Sequence, residues 1–559
     1  MGGEIMITIT DLPHAQYQNL NQVIDQVVLR FSEKPAFSHL GAELSFSRLD
    51  DLAKRFAAWI QQNTQLQPGD RIAIQLPNII QYPVVLFGAL KAGLVVVNTN
   101  PLYTPSELEN QLINSGAKAL VAFTPLAKDL NKILPNTQVR WTILTELADL
   151  HTSPKRLLLN AYLKHFKLRY CTPDLSNAIS LPRLLQKSRA EDFTPIEISS
   201  DQLALLQYTG GTTGIAKGAM LTHGNLISNL AQLNELLQHY TQQGQERLIQ
   251  PLPIYHVYAF MLTLSLFSIG CRTELVPNPR DIAGLVKLFK RQKPTIFSGI
   301  NPLFSALLHH AYFTKLNFNA LRITISGGMA LTPSLAQQWE TITGCSIAEG
   351  YGLTECSPVV SVNLPDQVQL GTTGPLLPQT QVRVVGPLGE ILPRGEIGEI
   401  EVRGPQVMAG YWQQPQETAK VITRHGWLAT GDIGMLNEHN VLRIVDRSKE
   451  VINVSGFKVY PTEIENIVNA MPEVEDCAAI GLPDEHTGEK IKLFVISRHP
   501  KMCGQQVRDY CKERLTSYKV PKSIEFCTSL PRSPVGKVLR RVLREQALND
   551  AKQSVSKTQ

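Results

Sequence analysis

The sequence has no apolar run close to the roughly 20 residues that crossing a bilayer requires. Its most apolar stretch, "IIQYPVVLFGALKAGLVVV", is broken by Pro83, Lys91 and two glycines, and reads as a buried helix leading into a buried strand. It also lacks C-x-x-C pairs. Its 8 cysteines stand singly, at Cys171, Cys271, Cys345, Cys356, Cys477, Cys503, Cys511 and Cys527, which argues against zinc and against a disulfide framework and fits a reducing cytoplasm. There is no low-complexity tract, no block of like charge and no repeated period, so long disordered tails and solenoids are set aside. The opening "MGGEIMITIT" has neither the basic region nor the cleavage site of a signal peptide, and Met6 stands where a myristoylation motif needs Ser or Thr. The net charge of +6, from 54 basic and 48 acidic side chains, is modest for this length and gives no reason to expect nucleic acid. Small anionic ligands remain in play.

What is present is an ordinary globular composition, 43% hydrophobic and 18% charged. At 559 residues the chain exceeds one core, and a prior of about 100 to 200 residues per domain predicts three to five units. The early part alternates strand and helix patterns, the mark of a layered α/β fold. "RIAIQL" reads as a strand, "QYPVVLFGALKAG" as a helix and "GLVVVNTN" as the next strand. At "TPSELENQL", Thr104 is an N-cap, Pro105 suits the first helical position and Glu107 completes a capping box. Between about 365 and 445 short strands alternate with Gly and Pro turns, which predicts a small, barrel-like β-rich subdomain. Beyond "DRSKEV" lies a small α+β tail.

The stretch "LQYTGGTTGIAKGAMLTHGN" offers backbone N–H groups, hydroxyls and one Lys to an anion, and phosphate is the usual ligand of such a loop. The commonest phosphate loop needs G-x-x-x-x-G-K-[ST]. Ile215 and Ala216 stand where the second Gly would fall, so this loop belongs to another architecture.

Four further segments bear on the loop. "EGYGLTECSP" sets glycines around a ring, a hydroxyl and a carboxylate, "GWLATGDIG" presents Asp432 after a Thr-Gly turn, and "DRSKEVINVSGFKVYPTEIE" and "LPRSPVGKVLRR" bring basic residues from the tail. In this order and spacing the segments resemble those of the adenylate-forming superfamily of acyl-CoA synthetases, luciferases and peptide-synthetase adenylation domains. The resemblance covers nearly the whole chain and is strongest to bacterial long-chain fatty-acid–CoA ligases.

That resemblance implies ATP-dependent activation of a long-chain fatty acid to acyl-CoA through acyl-AMP, with ATP and CoA as co-substrates and Mg²⁺ as cofactor. It implies a phosphate loop at Thr209, Gly210, Gly211, Thr212, Thr213, Gly214 and Lys217. Gly327 and Gly328 of "SGGMAL" lie against adenine in this reading, as does Tyr351, between Gly350 and Gly352. Thr354 donates to the α-phosphate, Glu355 holds Mg²⁺, and Asp432 accepts the ribose hydroxyls with Arg447 assisting. His256 is the residue beside the substrate carboxylate, and Lys537 neutralises charge as acid oxygen attacks the α-phosphate. Phe260 and Gly299 are assigned to the acyl tunnel. The implied domains are 1–445, a hinge over 446–449 centred on Lys449, and a mobile domain over 450–559, with Gly456 lining the CoA tunnel after rotation.

Competing readings are a medium-chain or aryl acid–CoA ligase, a fatty acyl-AMP ligase, and a non-catalytic acyl-nucleotide-binding scaffold. The insertion typical of acyl-AMP ligases has no counterpart before the tail, and a scaffold has no chemical reason to keep Lys537. A long acid resides mostly in lipid, and "SPKRLLLNAYLKHFKLRY" (153–170) combines Lys155, Arg156, Lys164, Lys167 and Arg169 with leucines and aromatics and no acid. It reads equally as an interfacial helix on anionic lipid or as a surface helix whose leucines face the core. A cytoplasmic enzyme with peripheral contact at the inner face of the cell membrane follows from the first. Chain-length preference and oligomeric state, a dimer included, stay open.

Overall fold

The computed structural model describes residues 17–152, 154–167, 175, 177–209, 216–533 and 536–556. Two eight-stranded sheets form the large domain. One is built on parallel strands Arg71–Gln75, Val95–Asn98, Ala119–Phe123, Trp141–Thr145 and Leu203–Thr209, and the antiparallel Lys217–Thr222 is added beside the last of these. The other is built on parallel strands Arg247–Gln250, Arg272–Leu275, Ile296–Gly299, Ile323–Gly327 and Ile347–Gly352, with Val359–Val362 antiparallel at its edge. Parallel strands covered on both faces read as continuous apolar runs, which is why "KALVAFT" and "GLVVV" carry almost no polar residue.

One apolar core draws on both sheets and on the helices packed against them, joining Ile72, Val96 and Val121 to Phe37, Leu275 and Val360 through Phe56, Phe87 and Phe267. The helix Gln81–Lys91 is buried along every residue. Lys91 is tolerated there because its ammonium meets Asp25 at 2.5 Å and Asp50 at 3.1 Å, which satisfies a charge that would otherwise be costly to bury. The capping box closes as its sequence requires: Glu107 N–H donates to Thr104 Oγ1 at 3.3 Å, and Thr104 N–H donates to Glu107 Oε2 at 2.8 Å.

A four-stranded antiparallel sheet, Gln381–Val385, Gly398–Arg403, Leu428–Leu436 and Leu442–Arg447, forms the β-rich subdomain. The chain then passes through the tight turn Ser448–Glu450 into a small domain. Its five-stranded sheet has a core of its own, with Ile452, Ile464, Val468, Leu493, Val495 and Val507 packed together. A unit with its own core can move as a body. Among the described residues no helix is long and apolar enough to cross a membrane.

Candidate active site

The parallel strands Ile296–Gly299, Ile323–Gly327 and Ile347–Gly352 all end in glycine, and ligands in α/β sheets bind outside such carboxyl ends. Beyond these ends a cleft of about 3150 Å³ opens between the large and small domains. Two glycines show why no side chain is tolerated here. A Cβ on Gly352 would stand 2.1 Å from the Pro358 carbonyl oxygen, and Gly328 has φ +83, a left-handed conformation open to Gly at little cost.

The Leu428–Leu436 and Leu442–Arg447 hairpin pairs Asp432 with Arg447 across the strands. Arg447 Nε lies 3.0 Å from Asp432 Oδ1, while Tyr351 Oη donates to Asp432 Oδ2 at 2.6 Å. Both carboxylate oxygens are thus engaged, and Asp432 is buried at 4% exposure. Thr354 and Glu355 form the short turn after the Ile347–Gly352 strand. Glu355 accepts from Tyr411 Oη through Oε1 at 2.7 Å, and its Oε2 has no protein donor among the described residues.

His256 caps the helix Val257–Ser268, its Nδ1 accepting from the Tyr258 N–H at 3.4 Å. Burial, helped by the cation of Lys537, holds its pKa down to about 4, so the ring is neutral at neutral pH. Lys537 reaches the cleft from the tail on a turn in which Ser533 N–H donates to the Lys537 carbonyl at 2.8 Å. Its pKa is lowered first by burial and then by Arg447, while Asp432, Glu450 and Glu355 act in the opposite direction. Gly536, with φ +81, lets this turn approach the large domain: a Cβ there would meet Ile300 Cδ1 at 2.6 Å.

Of the predicted phosphate loop, Thr209 ends one strand and Lys217 begins the next, the two in register, and Gly210, Gly211, Thr212, Thr213 and Gly214 lie outside the described residues. Lys217 Nζ meets Glu417 at 2.5 Å and lies 5.1 Å from the centre of the Tyr411 ring. Hydrogen bonds from Lys217 and then Lys420 hold the Glu417 carboxyl down at about 2. Gly327 and Gly350 lie side by side on adjacent strands.

Three predicted residues stand apart from this cleft. Phe260 is 3% exposed and belongs to the core shared by the two sheets. Within the same helix Tyr258, Leu262 and Ser265 line the cleft, because one helical face cannot serve both. A Cβ on Gly299 would press on the Phe304 ring at 2.7 Å, so that glycine permits packing and leaves the cleft wall to its neighbours. Gly456, φ +85, sits with Ser455 at the tip of the hairpin Ile452–Val454 and Phe457–Val459, outside the cleft lining. Lys449 is exposed in the connecting turn.

The structure adds residues that sequence reasoning did not single out. Glu349 lines the cleft at 8% exposure, with Oε1 accepting the Leu331 N–H at 3.0 Å, and burial raises its pKa to about 8. Arg540 binds Glu450 and Glu465 behind Lys537. Tyr411 comes from a two-residue strand, Gly410–Tyr411, paired with Lys217–Thr222, a long-range contact for which the local sequence carries no signal.

Comparison with known proteins gives a consistent picture. The family model for AMP-binding enzymes matches residues 24–412, and that for the AMP-binding enzyme C-terminal domain matches residues 463–537. The chain is similar to the long-chain-fatty-acid–CoA ligase of Yersinia pestis, with 45% identity over 536 residues and 95% of each chain covered. It is also similar to the long-chain-fatty-acid–CoA ligase of Bacillus subtilis, with 34% identity over 544 residues and 96% of each covered. Among solved structures, ATP-bound MatB from Rhodopseudomonas palustris superposes with a TM-score of 0.83 at 29% identity, covering 94% of this chain and 99% of that one.

Proposed function

The chain belongs to the AMP-binding enzyme family, and from that premise we propose that it joins long-chain fatty acids to CoA using ATP, by way of an acyl-AMP intermediate. The observation that carries this reading is the convergence of Lys537, from the tail, on His256, Asp432 and Glu355 of the large domain, each within electrostatic reach of its ammonium.

In the first half-reaction a carboxylate oxygen of the acid bonds to the α-phosphorus of ATP. The bond to the bridging β-phosphate oxygen breaks, and its electron pair leaves with pyrophosphate. Lys537 supplies positive charge where the phosphoryl oxygens gain it, a contribution that grows in a water-poor cleft. His256, neutral, orients the acid carboxylate without holding it as an ion pair would. Asp432 accepts the ribose hydroxyls, for which Tyr351 must yield Oδ2, and Arg447 keeps the carboxylate fixed. Glu355 fits a hard divalent cation, since it offers a carboxylate oxygen without a protein donor. In this reading Mg²⁺ would be held by that carboxylate together with the nucleotide's phosphates. Mg²⁺ bound there neutralises phosphate charge.

In the second half-reaction the CoA thiol gives up its proton to solvent, its sulfur bonds to the acyl carbon, and the carbon–oxygen bond to phosphate breaks, its electron pair leaving with AMP. Lys537 occupies the approach in the orientation described, so the small domain has to turn about Lys449 to bring Gly456 towards the cleft. A product assay tests the whole reading: hexadecanoate, ATP and CoA should yield hexadecanoyl-CoA, AMP and pyrophosphate in equal amounts. Accumulation of acyl-AMP with CoA unused would favour the acyl-AMP ligase reading, and preference for an aryl acid would favour the aryl ligase.

The fatty acid is delivered, in this proposal, at an anionic membrane in the cytoplasm. The helix Lys155–Tyr162 has no buried residue, although Leu163 just beyond it is buried, and its exposed leucines support the interfacial reading. Leu157, Leu158 and Tyr162 are 61%, 70% and 54% exposed, and Leu40, also exposed, adjoins them through the Lys155 Nζ bond to its carbonyl. Ser153 and residues 168–170 lie outside the described residues.

A further inference from the structure

Part of the cleft forms a slot walled by the helices His223–Leu237 and Val257–Ser268 and the strand Ile323–Gly327. Tyr258 lies at its mouth, its ring 3.1 Å from the Cβ position of Gly327. Leu262 and Ser265 follow on the same helical face, spaced by four and three residues, and Leu233, Leu237 and Ile325 supply the facing walls. Exposure falls along this face. Tyr258 is partly exposed, Leu262 is 5% exposed and Ser265 only 1%.

The slot ends on polar atoms. Ser265 Oγ donates to Asn234 Oδ1 at 2.7 Å, Asn234 Nδ2 donates to Ser268 Oγ at 2.7 Å, and Ser268 Oγ donates to the Ser265 carbonyl at 2.6 Å. All three side chains are buried, and each has its partner within the cluster. A buried network of this kind is costly to leave half-satisfied, so it resists being pushed apart by an alkyl chain that offers no hydrogen bond in return.

We infer that Ser265, braced by Asn234 and Ser268, is a specificity-determining residue that measures acyl chain length at the floor of this slot. The inference rests on the proposed ligase activity and adds the chain-length device to it. Nine residues separate His256, beside the carboxylate, from Ser265; at about 1.5 Å of rise per residue the floor lies about 13 Å away, the extended length of about eleven methylene steps. Acids up to about that length lie on an intact floor; hexadecanoate is accepted only by parting Ser265 from Asn234, so the wild type should use it less well than dodecanoate. The walls above the floor are apolar and do not discriminate among saturated chains.

The test is kcat/KM for octanoate, dodecanoate and hexadecanoate with the full-length wild type, Ser265→Ala and Ser265→Leu. Ser265→Leu raises the floor, and the ratio of hexadecanoate to octanoate should fall by about tenfold or more, the scale on which misfitted methylenes are rejected. Ser265→Ala releases Asn234 without adding bulk, keeps the fold safe from overpacking, and should raise that ratio by about threefold. If both variants scale every acid by one common factor, Ser265 does not measure length and the inference is overturned. A wild type that forms acyl-CoA from none of the three acids would overturn the ligase reading itself, so the two failures are distinct.

Discussion

Arg498 of the small domain donates from Nη1 to Nε2 of His309 in the large domain at 2.7 Å. His309 Nδ1 lies 2.7 Å from the Ser305 carbonyl, which can only accept. Nδ1 therefore carries the ring proton and Nε2 is left as the acceptor that Arg498 needs. Beside the connecting turn Thr462 N–H also donates to Asp446 Oδ2 at 2.9 Å, and the Arg498–His309 pair adds a second tie, a latch on the orientation that holds Lys537 in the cleft. Arg498→Ala should slow acyl-AMP formation by up to about fivefold, the scale of one net hydrogen bond, while thioester formation from supplied acyl-AMP stays equal or quickens. Equal slowing of both half-reactions would show that the latch does not bias orientation.

Lys537→Ala should cut acyl-AMP formation by about 10²- to 10³-fold, as loss of one preorganised charge at a transition state does. Transfer from supplied acyl-AMP to CoA should be spared, since in the proposed rotation the side chain leaves the cleft before that step. Pyrophosphate release and acyl-CoA formation, measured separately, check this, and matching losses would remove Lys537 from its role.

Glu349 gives a pH prediction with a definite sign. Its folded-state pKa is raised by burial from 4.5 to about 8, so between those values the native protein holds a proton that the unfolded chain has released. Stability must then fall as pH rises through that window and level off above it. Besides the Leu331 N–H, the elements packed on its strand bring no compensating charge: Ile323–Gly327 and Val359–Val362 contain no titratable side chain, and Glu340 of the neighbouring helix is bound to Ser346. Glu349→Gln keeps the acceptor for Leu331 and abolishes the titration. The variant should match the wild type near pH 4.5 and melt at a higher temperature near pH 8.5. Parallel melting curves at both pH values would refute the assignment.

Replacing Lys155, Arg156, Lys164, Lys167 and Arg169 with Gln should release the protein from anionic vesicles, each basic residue near the surface contributing about 1 kcal/mol. Sedimentation with phosphatidylglycerol vesicles at low and high salt measures it. The wild type should pellet at low salt and less at high salt, and the variant at neither. Equal pelleting of both proteins under both conditions would assign lipid contact to another surface.

Much of this protein was legible without coordinates, and the reasons are local. Strand runs such as "KALVAFT", the Thr104 capping box and the fully buried helix Gln81–Lys91 are written in short-range pattern and propensity. Asp432, Glu355 and Lys537 stood out because their segments combine glycines with charge in a family-wide order, and the structure brings these distant segments to one cleft. Phe260 shows where that reasoning stops. A helix in which nearly every position is apolar does not reveal which face meets solvent and which meets core, and only the packing of Phe260 against the shared core, with Leu262 and Ser265 turned to the slot, decides it. The Arg498–His309 latch, the neutral Glu349 and the Ser265–Asn234–Ser268 floor are likewise tertiary. Each depends on burial or on a partner 31 to 189 residues away, and neither desolvation nor long-range proximity leaves a periodic trace in sequence.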